Sequence, residues 1–436
     1  VYGHTASTPP THDGISAENT GDIDATGAFG TTGYVGGISA TGRSIANGRS
    51  VCNIKAVGFT YVGMGISQDR GTYKIKNCHI GGSIWRKGDS KVDIDINNFT
   101  DYIYSSPVDL ATAKSENCGY IENIDDAPAF EAPHEINSAE ALLAFAAEAV
   151  TFDKNISITA DIDMTGQAWT PIEGYVGNVH GNGNKIKGLT APLFGTTAAS
   201  IDNLHLTDVD IEITDIKAEY GVFAGRLDNT DAVIKNCSAS GKMKINLAMS
   251  AAITGNGSNK DIDIAGLVGY TTSTREFKNL INEVDIEIAG TFKNNIVATG
   301  LITVGASCSL SNSQNLGKIT YTATSNSHVF MGGLVHECKN VTDCINGSAE
   351  DTTFSKGALT IDGTTKNAYA SGFSPSGRSN ITLTRCHNYG AITYTENAVK
   401  GDTSTSITKD ATLETGVVVK VPAKTVINNN KQYFSS

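Results

Sequence analysis

The sequence has little proline, few aromatic residues, little charge and no long apolar run. Among its 436 residues, 9 are proline, while aromatic residues make up 7% and charged residues 18%. A globular chain usually contains about 25% charged residues, and coiled coils, helix-rich enzymes and disordered acidic chains need more charge than this one has. No apolar run reaches the ~18–20 residues that span a bilayer. The composition therefore argues against these classes and predicts no membrane-spanning helix.

Basic residues are outnumbered by acidic ones. The chain has 33 Lys and Arg against 45 Asp and Glu, which gives a net charge of −12. Without clusters of Lys and Arg, the chain lacks the charge that supplies most nucleic-acid affinity, so nucleic-acid binding is not expected. The first residue, Val1, is not an initiator methionine, and we expect a processed or partial chain. The absence of a leader sequence is therefore no argument against secretion.

Glycine and small polar residues are abundant, and they occur in a repeated pattern. The 46 glycines, with many Asn and Asp, favour short strands joined by turns, because these residues tolerate left-handed backbone. One repeated frame has Cys or Ser, then Gly four residues later, then Ile or Met two residues after that. Its copies start at Cys78, Cys237, Ser313 and Cys386, with a partial copy at Cys344.

A second repeat consists of a glycine followed by an apolar residue. Its copies start at Gly221, Gly266, Gly300, Gly333 and Gly372, with spacings of 45, 34, 33 and 39 residues, and Gly37 and Gly63 are interpreted in the same role. Local patterns that persist while their spacing varies indicate stacked repeats with loops of different length. Each glycine is expected at a corner where the backbone needs room or a positive φ.

Apolar and acidic residues alternate within the repeats. Val209, Ile211 and Ile213 alternate with acidic residues, and Ile262 and Ile264 do the same. This period of two predicts strands with one buried face. A single repeat cannot bury that face, whereas parallel stacking of successive repeats buries a continuous row of Ile, Leu and Val. The predicted fold class is all-β, a parallel β-helix (β-solenoid).

One amphipathic helix is predicted from Asn137 to about Val150. Asn137 is the expected N-cap, with Glu140 three residues later and apolar residues at helical spacing. Because an exposed terminal repeat is an aggregating strand edge, we interpret the helix as the cap of a second solenoid. The predicted organisation is a first, N-terminally incomplete β-solenoid segment over 1–127, a linker and capping helix over 128–150, and a second β-solenoid with an irregular C-terminal tail over 151–436.

The first solenoid segment begins inside a repeat. Ala17, Gly21 and Ile23 have the spacing of the first repeated frame, and Asn19 matches Asn388 in the last copy. A strand or cap donated by a neighbouring molecule would complete this repeat. Self-association, or contact with a neighbouring surface protein, is therefore an expected property of the chain.

Several segments together carry a family resemblance. They are 136–145 (INSAEALLAF), 158–164 (ITADIDM), 169–172 (WTPI), 181–189 (GNGNKIKGL), 193–195 (LFG) and 201–204 (IDNL). Their order resembles the opening module of GLUG-motif surface proteins, which occur in Bacteroidota and some Gram-positive bacteria, and 265–269 (AGLVG) resembles the GLUG repeat itself. The resemblance covers 136–395 and, less closely, 15–105. It implies a right-handed parallel β-helix on an exported, cell-surface or extracellular protein of adhesin-like character. The family has no common catalytic residues, and none are assigned.

Eight cysteines are the first candidates for chemistry. Cys78, Cys237, Cys344 and Cys386 share one repeat position, where buried small hydrophobic residues are the favoured interpretation. Cys338 and Cys344 are close enough in sequence for one disulfide. No CxxC motif and no Cys/His zinc spacing exists. The sequence therefore predicts no metal-ligating cysteine.

Five Asp-x-Asp pairs are the second candidates, because residues i and i+2 of a strand share a face. The pairs are Asp22/Asp24, Asp93/Asp95, Asp161/Asp163, Asp208/Asp210 and Asp261/Asp263. Two such carboxylates can bind Ca²⁺ or act as acid and base in glycoside hydrolysis. Because Ile alternates with Asp, the favoured interpretation is a solvated face, with a structural Ca²⁺ site and catalysis as the open alternatives.

Tryptophans and a glycine-rich loop complete the candidates. A carbohydrate groove needs stacking aromatic residues, and the only tryptophans are Trp85 and Trp169. We expect Trp169 in the core near the helix. The loop after His180, with sequence GNGN, lacks the Lys-Ser/Thr of a phosphate loop and predicts a tight turn.

The predicted function is that of a non-catalytic extracellular or bacterial cell-surface protein, structural or adhesive. It would build a stalk, fibre or surface layer, or present an adhesive solenoid face to a host or bacterial cell-surface ligand. The alternatives are a polysaccharide lyase or glycoside hydrolase on the same fold, and a glycan-binding module. No catalytic, cofactor-binding or metal-binding residue is predicted, and no cofactor other than the open structural Ca²⁺.

Overall fold

The structure is a computed structural model, and it divides the chain into two compact units, Val1–Ala132 and Pro133–Ser436. The residues that it describes are 17–25, 34–38, 45–56, 61–64, 74–85, 91–103, 114–116, 118–126, 133–149, 155–229, 232–253, 261–304, 308–375 and 382–394. The expected linker residues 128–132, Val150 and the irregular tail after residue 394 lie outside this set.

The N-terminal unit is built mainly from parallel strands. Its elements are β1 (Ala17–Asn19), β2 (Ile23–Asp24), β3 (Tyr34–Gly36), β4 (Ile45–Lys55), β5 (Tyr61–Gly63), β6 (Lys74–Trp85), β7 (Val92–Asp93), α1 (Phe99–Ile103), β8 (Lys114–Glu116), β9 (Gly119–Tyr120) and a 3-10 helix (Ile124–Asp126). Strand β4 lies between β1 and β6, β3 pairs with β5, and β7 is antiparallel to β6. Ile54, Met64 and Ile80 are in its core.

The described part of the C-terminal unit contains one helix of 10 residues and many strands. Its elements are β10 (His134–Ile136), α2 (Ala139–Glu148), β11 (Ile156–Ile158), β12 (Ile162–Asp163), β13 (Val179–His180), β14 (Lys185–Lys187), β15 (Phe194–Thr197), β16 (Ile201–Asp202), β17 (His205–Ile213), β18 (Glu219–Gly221), β19 (Ala224–Leu227), β20 (Ile234–Ala248), β21 (Asp261–Ala265), β22 (Val268–Thr271), β23 (Glu276–Phe292), β24 (Asn295–Thr299), β25 (Ile302–Val304), β26 (Ser309–Ser311), β27 (Gln314–Asn315), β28 (Ile319–Tyr321), β29 (Thr324–Ser325), β30 (His328–Gly332), β31 (Asn340–Thr342), β32 (Ile345–Asn346), β33 (Leu359–Ile361), β34 (Asn367–Ser371), β35 (Thr382–Thr384), β36 (His387–Asn388) and β37 (Ile392–Tyr394).

Helix α2 begins one residue later than predicted. Its N-cap is Ser138, whose hydroxyl oxygen accepts a hydrogen bond of 3.2 Å from the Ala141 N–H. The prediction of Asn137 as the N-cap was wrong, because the serine side chain at the next position satisfies one of the unpaired N–H groups of the first turn. Phe145 of this helix is buried and lies edge-on to the Tyr175 ring at 5.2 Å. The helix thus packs on the core beside β10.

The strands of the C-terminal unit form three sheets in which every described pairing is parallel. The sheets have 19, 4 and 5 strands. Successive repeats place one strand in each: β18, β19 and β20 pair with β21, β22 and β23, which lie one repeat later in the chain. The buried rows of Ile, Leu and Val form one continuous core cluster from Ile136 to Ile392. The predicted all-β class and parallel stacking are therefore observed.

A column of buried asparagines runs through the last four repeats. Asn282, Asn315, Asn346 and Asn388 are in register. The Nδ2 of each of the first three donates a hydrogen bond to the Oδ1 of the asparagine one repeat later, at 2.8, 2.8 and 2.7 Å. Their exposed fractions are 0–4%. The amide groups satisfy one another along the column, so their burial leaves few unpaired polar atoms.

The repeated glycines make room for these asparagines. A Cβ on Gly266, Gly300, Gly333 or Gly372 would lie 2.5, 2.3, 2.4 or 2.2 Å from the Cγ of the asparagine of its own repeat. None of these four glycines has a positive φ. The glycine is therefore required by close approach and not by backbone conformation. We name this arrangement, Gly266/Asn282 to Gly372/Asn388, the glycine–asparagine column.

The first copy of the glycine repeat was aligned one residue too early. Gly221 pairs with Ala265, so the residue equivalent to Gly266 is Val222. Ala239 occupies the asparagine position of the same repeat. Val222 and Ala239 are both buried. In this repeat, the combination of Val222 and Ala239 replaces the combination of glycine and asparagine. The total side-chain volume in the core is therefore similar.

Positive φ angles occur instead at the residue before the Cys or Ser of the first frame, and before Leu280, which is in register with Cys237. Asn236, Asn279, Asn312, Asp343 and Arg385 have φ between 46° and 56°. Asn and Asp tolerate this left-handed conformation better than other residues with a side chain, which explains their recurrence at this corner. Arg385 is the exception, and its guanidinium hydrogen-bonds both carboxylate oxygens of Asp343 in the preceding repeat.

Candidate functional site

A groove follows the corner between the five-stranded and the four-stranded sheet of the C-terminal unit. Alternate side chains of the five-stranded sheet lie in the core, and the intervening ones form a column in register on its other face. This column faces residues of the four-stranded sheet and its continuation. We name this surface the corner groove, and it consists of Glu219, Asp263, Val297, Phe330 and Tyr369 on one side and Arg226, Tyr270 and His336 on the other. Five strands at a spacing of ~4.8 Å give it a length of ~19 Å.

One end of the corner groove is charged. The Arg226 guanidinium lies 3.2 Å from the Glu219 carboxylate and 3.3 Å from that of Asp228, and it stacks at 4.7 Å from the centroid of the Tyr270 ring. Burial raises the pKa of Glu219, and the nearby arginine charge partly offsets this effect. The positive charge of Arg226 is thus matched by two carboxylates and held in one orientation.

Asp263 lies next to Glu219 and is buried, contrary to the predicted solvated face. Asp261 and Asp263 are only 5% and 7% exposed. Strand β21 has a neighbour on each side, and the corner covers its outer face, which alternation along a single strand does not reveal. Burial raises the pKa of Asp263 well above its usual range, and the Asp261, Glu219 and Glu337 carboxylates add to the shift. Part of the Asp263 population is therefore protonated at a pH where an ordinary aspartate is ionised.

The other end of the corner groove is aromatic. The rings of Phe330 and Tyr369 are stacked with centroids 5.0 Å apart and an interplanar angle of 9°. His336 lies 6.2 Å from Phe330 and His328 lies 6.0 Å from Tyr369. Phe330 and Tyr369 are half-buried, so part of each ring faces solvent. They form a stacked apolar pair, which we name the platform, and no local pattern in the sequence indicates it because the two residues are 39 positions apart.

A cavity of about 210 Å³ adjoins the charged end. Its lining includes Glu173, Glu212, Asp215, Lys217, Glu219 and Arg226. The ammonium group of Lys217 lies 3.4 Å from the Glu173 carboxylate, and both side chains are about half exposed. The cavity therefore extends the charged end of the groove past the first strand of the five-stranded sheet.

The other Asp-x-Asp pairs are exposed, as predicted, and they are not brought together. The carboxylates of Asp22, Asp95, Asp161 and Asp163 accept hydrogen bonds from the backbone N–H groups of Asn53, Asn97, Lys185 and Thr165, in that order. Asp93 and Asp210 pair with the ammonium groups of Lys91 and Lys242. Within the described ranges, no cluster of three or more His, Cys, Asp or Glu side chains has the arrangement of a metal site.

Trp169 and the glycine-rich loop lie where the sequence predicted. Trp169 is 7% exposed, and its indole N–H donates to the Pro192 carbonyl at 2.9 Å. The loop after His180 is a turn between β13 and β14, with positive φ at Asn182 and Gly183. Trp85, in the N-terminal unit, is half-buried, and the Lys91 ammonium lies 5.4 Å from its ring centroid.

All eight cysteines are free in the structure. The Sγ of Cys338 lies 3.3 Å from that of Cys308, and Cys344 is the in-register neighbour of Cys386. The Cys338–Cys344 disulfide that the sequence left open is not formed in the structure, where parallel stacking brings together cysteines one repeat apart. Cys78, Cys237, Cys344 and Cys386 are buried, as expected for small apolar side chains of the core.

Comparison with known proteins finds a match over a short segment and a distant structural similarity. Residues 390–423 match the family model of elongation factor P, C-terminal, and only 390–394 lie in the described part. Elongation factor P of Phytoplasma australiense is 68% identical over 31 residues, which are 7% of this chain and 16% of that protein. A crystal structure of a Bacteroides ovatus protein proposed to be an immunoglobulin A1 protease has a TM-score of 0.43 and 14% identity, covering 66% of this chain and 84% of the other.

The described helices are short. None of them has the length and apolar character needed to cross a membrane.

Proposed function

We propose that the chain is a right-handed parallel β-helix of the GLUG-motif type from a bacterial cell-surface or extracellular protein. Four of the repeated glycines, Gly266, Gly300, Gly333 and Gly372, have a structural role here, because each makes room for a buried asparagine of its own repeat. Three parallel sheets that receive strands from successive repeats support the β-helix. The protein is non-catalytic, and its role is to present an adhesive face.

The adhesive face is the corner groove, and its ligand is an extended, uncharged glycan. The observation that carries this proposal is the Phe330–Tyr369 platform, because flat aromatic rings bind the C–H faces of sugars. Val297 and Asp263 are 0% and 7% exposed, so the surface that a glycan can contact lies at the aromatic end of the groove. Arg226 is already paired with Glu219 and Asp228, so it is not available to bind an acidic polysaccharide.

A polysaccharide lyase or hydrolase is the second candidate, because two carboxyl groups with raised pKa values, Glu219 and Asp263, meet near Arg226. A hydrolase needs one carboxyl group as acid and another as base or nucleophile on opposite sides of the scissile bond. Asp263 is 7% exposed, and Glu219 is held by the arginine. Neither carboxyl group has the access that a glycosidic bond requires, which favours binding over cleavage.

A glycan array followed by calorimetry tests this function. We expect binding of an uncharged oligosaccharide such as xylohexaose, and no binding of hexagalacturonate. Phe330→Ala removes half of the platform and weakens binding at least tenfold, about 1.4 kcal/mol. Tyr389→Ala is the matched control, since Tyr389 is a half-buried aromatic residue outside the groove.

Four outcomes contradict the proposal. If no glycan binds, the corner groove is not an adhesive surface. If Phe330→Ala and Tyr389→Ala weaken glycan binding equally, the platform is not the binding site. Release of reducing ends from a bound glycan, lost in Asp263→Asn, supports the enzyme instead. If the purified chain binds neither glycans, cells, matrix nor itself, the adhesive role as a whole fails.

A further inference from the structure

Two thiols from successive repeats meet in the core of the C-terminal unit. Cys308 precedes β26 and Cys338 lies two residues before β31, and these two strands pair in register. The two Sγ atoms are 3.3 Å apart, and the residues are 1% and 0% exposed. Cys338 also donates to the Cys308 carbonyl at 3.1 Å. The sulfurs are therefore already in contact before any bond joins them.

The geometry points to a disulfide between Cys308 and Cys338 in the exported protein. A disulfide requires Cα atoms about 4.4–6.8 Å apart and sulfurs at about 2.05 Å. The in-register neighbour of Cys308 is Lys339, so Cys338 is one position out of register, yet the two sulfurs are 3.3 Å apart. A closer approach of about 1.2 Å brings them to bonding distance. The inference rests on the extracellular location proposed above, because such compartments are oxidising.

The bond forms by thiol–disulfide exchange with an oxidoreductase. Each thiol loses its proton, the two sulfurs join, and the two electrons reduce the disulfide of the oxidoreductase to a dithiol. Burial and the Cys308 sulfur both raise the pKa of Cys338 well above its usual range, which suppresses the reactive thiolate in the folded chain. Oxidation therefore precedes the pairing of β26 with β31, and the finished disulfide is protected from reductants.

Cys237 offers a matched comparison. It is equally buried, but its in-register neighbour one repeat later is Leu280, and its sulfur contacts the carbonyl oxygens of Lys235 and Ile201 at 3.2 and 3.8 Å. The same residue type at a comparable depth thus has no thiol in register with it. We expect Cys237 to stay reduced.

Peptide mapping tests the disulfide. The full chain, exported to the periplasm of a bacterial host, is denatured, alkylated without reduction and cut with trypsin. Cleavage after Lys293, Lys318, Lys339 and Lys356 puts Cys308, Cys338 and Cys344 on three different peptides. We expect peptides 294–318 and 319–339 joined in one species that is separated by reduction, and alkylated Cys237.

Variants distinguish the bond from mere proximity. Reduction of the exported protein during unfolding lowers its Tm, whereas Cys308→Ser has the lower Tm with or without reductant. Cys237→Ser leaves the cross-linked species unchanged. Alkylation of both Cys308 and Cys338 in the exported chain overturns the inference, and so does a Cys338–Cys344 link in its place.

Glycan binding is measured on the same preparation. If the chain binds a glycan but has no cross-link, only the disulfide proposal is contradicted. If the chain is cross-linked but binds no glycan, only the proposed role of the corner groove is contradicted.

Discussion

Two columns of residues lie three positions apart and differ in how much variation they contain. The outer column lies within the strands of the five-stranded sheet, and the inner column lies directly after these strands. The inner column is Val222, Gly266, Gly300, Gly333 and Gly372, and the outer column is Glu219, Asp263, Val297, Phe330 and Tyr369. The inner one repeats glycine four times, whereas no residue occurs twice in the outer one. Inner positions meet a buried amide of fixed size, and outer positions line the corner groove.

The comparison shows how a repetitive fold can carry a non-repetitive site. An inward side chain must fit a core of crystal-like density, so its size is set by its neighbours. A side chain in the corner groove packs against neighbours on one side only, so its size is less restricted. Charge at Glu219 and aromatic rings at Phe330 and Tyr369 can therefore follow one another along a single sheet without disturbing the stack.

The largest predicted effect is that of Gly333→Val. A Cβ at this position would lie 2.4 Å from Asn346 Cγ and 2.3 Å from the Gly372 carbonyl oxygen. Overpacking costs about 1–3 kcal/mol where a core can adjust, and we expect the upper end or more because the backbone of the next repeat is in the way. Thermal unfolding followed by circular dichroism measures the loss. An unchanged Tm would show that the glycine is not required by space.

An exchange of two residues sharpens the comparison. Gly266→Val and Asn282→Ala reproduce the natural Val222/Ala239 pair one repeat later. Each single change destabilises, the first by overpacking and the second by leaving a cavity and the Asn315 amide without its donor. In the double variant the valine fills the cavity, so we expect a favourable coupling of about 1–2 kcal/mol in a double-mutant cycle. Additive losses would contradict the volume exchange.

The pH dependence of stability tests the outer column. The pKa of Asp263 is raised in the folded protein, so folding favours the protonated carboxyl group. Its contribution is complete below the unfolded pKa of about 3.9 and is lost as the pH rises through the higher folded value. The side chain of residue 263 in Asp263→Asn is neutral at every pH. We therefore expect the Tm of this variant, relative to the Tm of the parent, to rise between pH 4 and 8. Exposed Asp210→Asn is the control, and equal pH profiles for Asp263→Asn and the parent would contradict the buried-charge argument.

The smallest predicted effect is that of Phe330→Tyr. The ring keeps its stacking on Tyr369, and the added hydroxyl group has access to solvent at a half-buried position. We expect a change of at most about 0.5 kcal/mol in stability, measured by thermal unfolding beside Gly333→Val. A loss as large as that of the glycine variant would show that the two columns are equally constrained.

Sequence patterns located most of the fold but little of the candidate site. The repeats, the period-two strands and the helix near residue 140 were visible because they depend on local spacing. The N-cap was misplaced by one residue, and the Gly221 copy was misaligned because a glycine one position early looked equivalent. Asp261 and Asp263 were read as solvated, since their alternation with Ile is identical to that of the exposed pairs.

The sequence by itself determined the all-β class, the repeats and which apolar residues form the core, because a period of two and a recurring glycine depend on neighbours in the chain. Tertiary structure alone decided that each glycine packs against an asparagine, that Asp263 is buried, that Phe330 stacks on Tyr369 and that Cys308 meets Cys338. These contacts join residues about 15 to 45 positions apart. Loops of unequal length separate them, so only the register of the sheets brings them together.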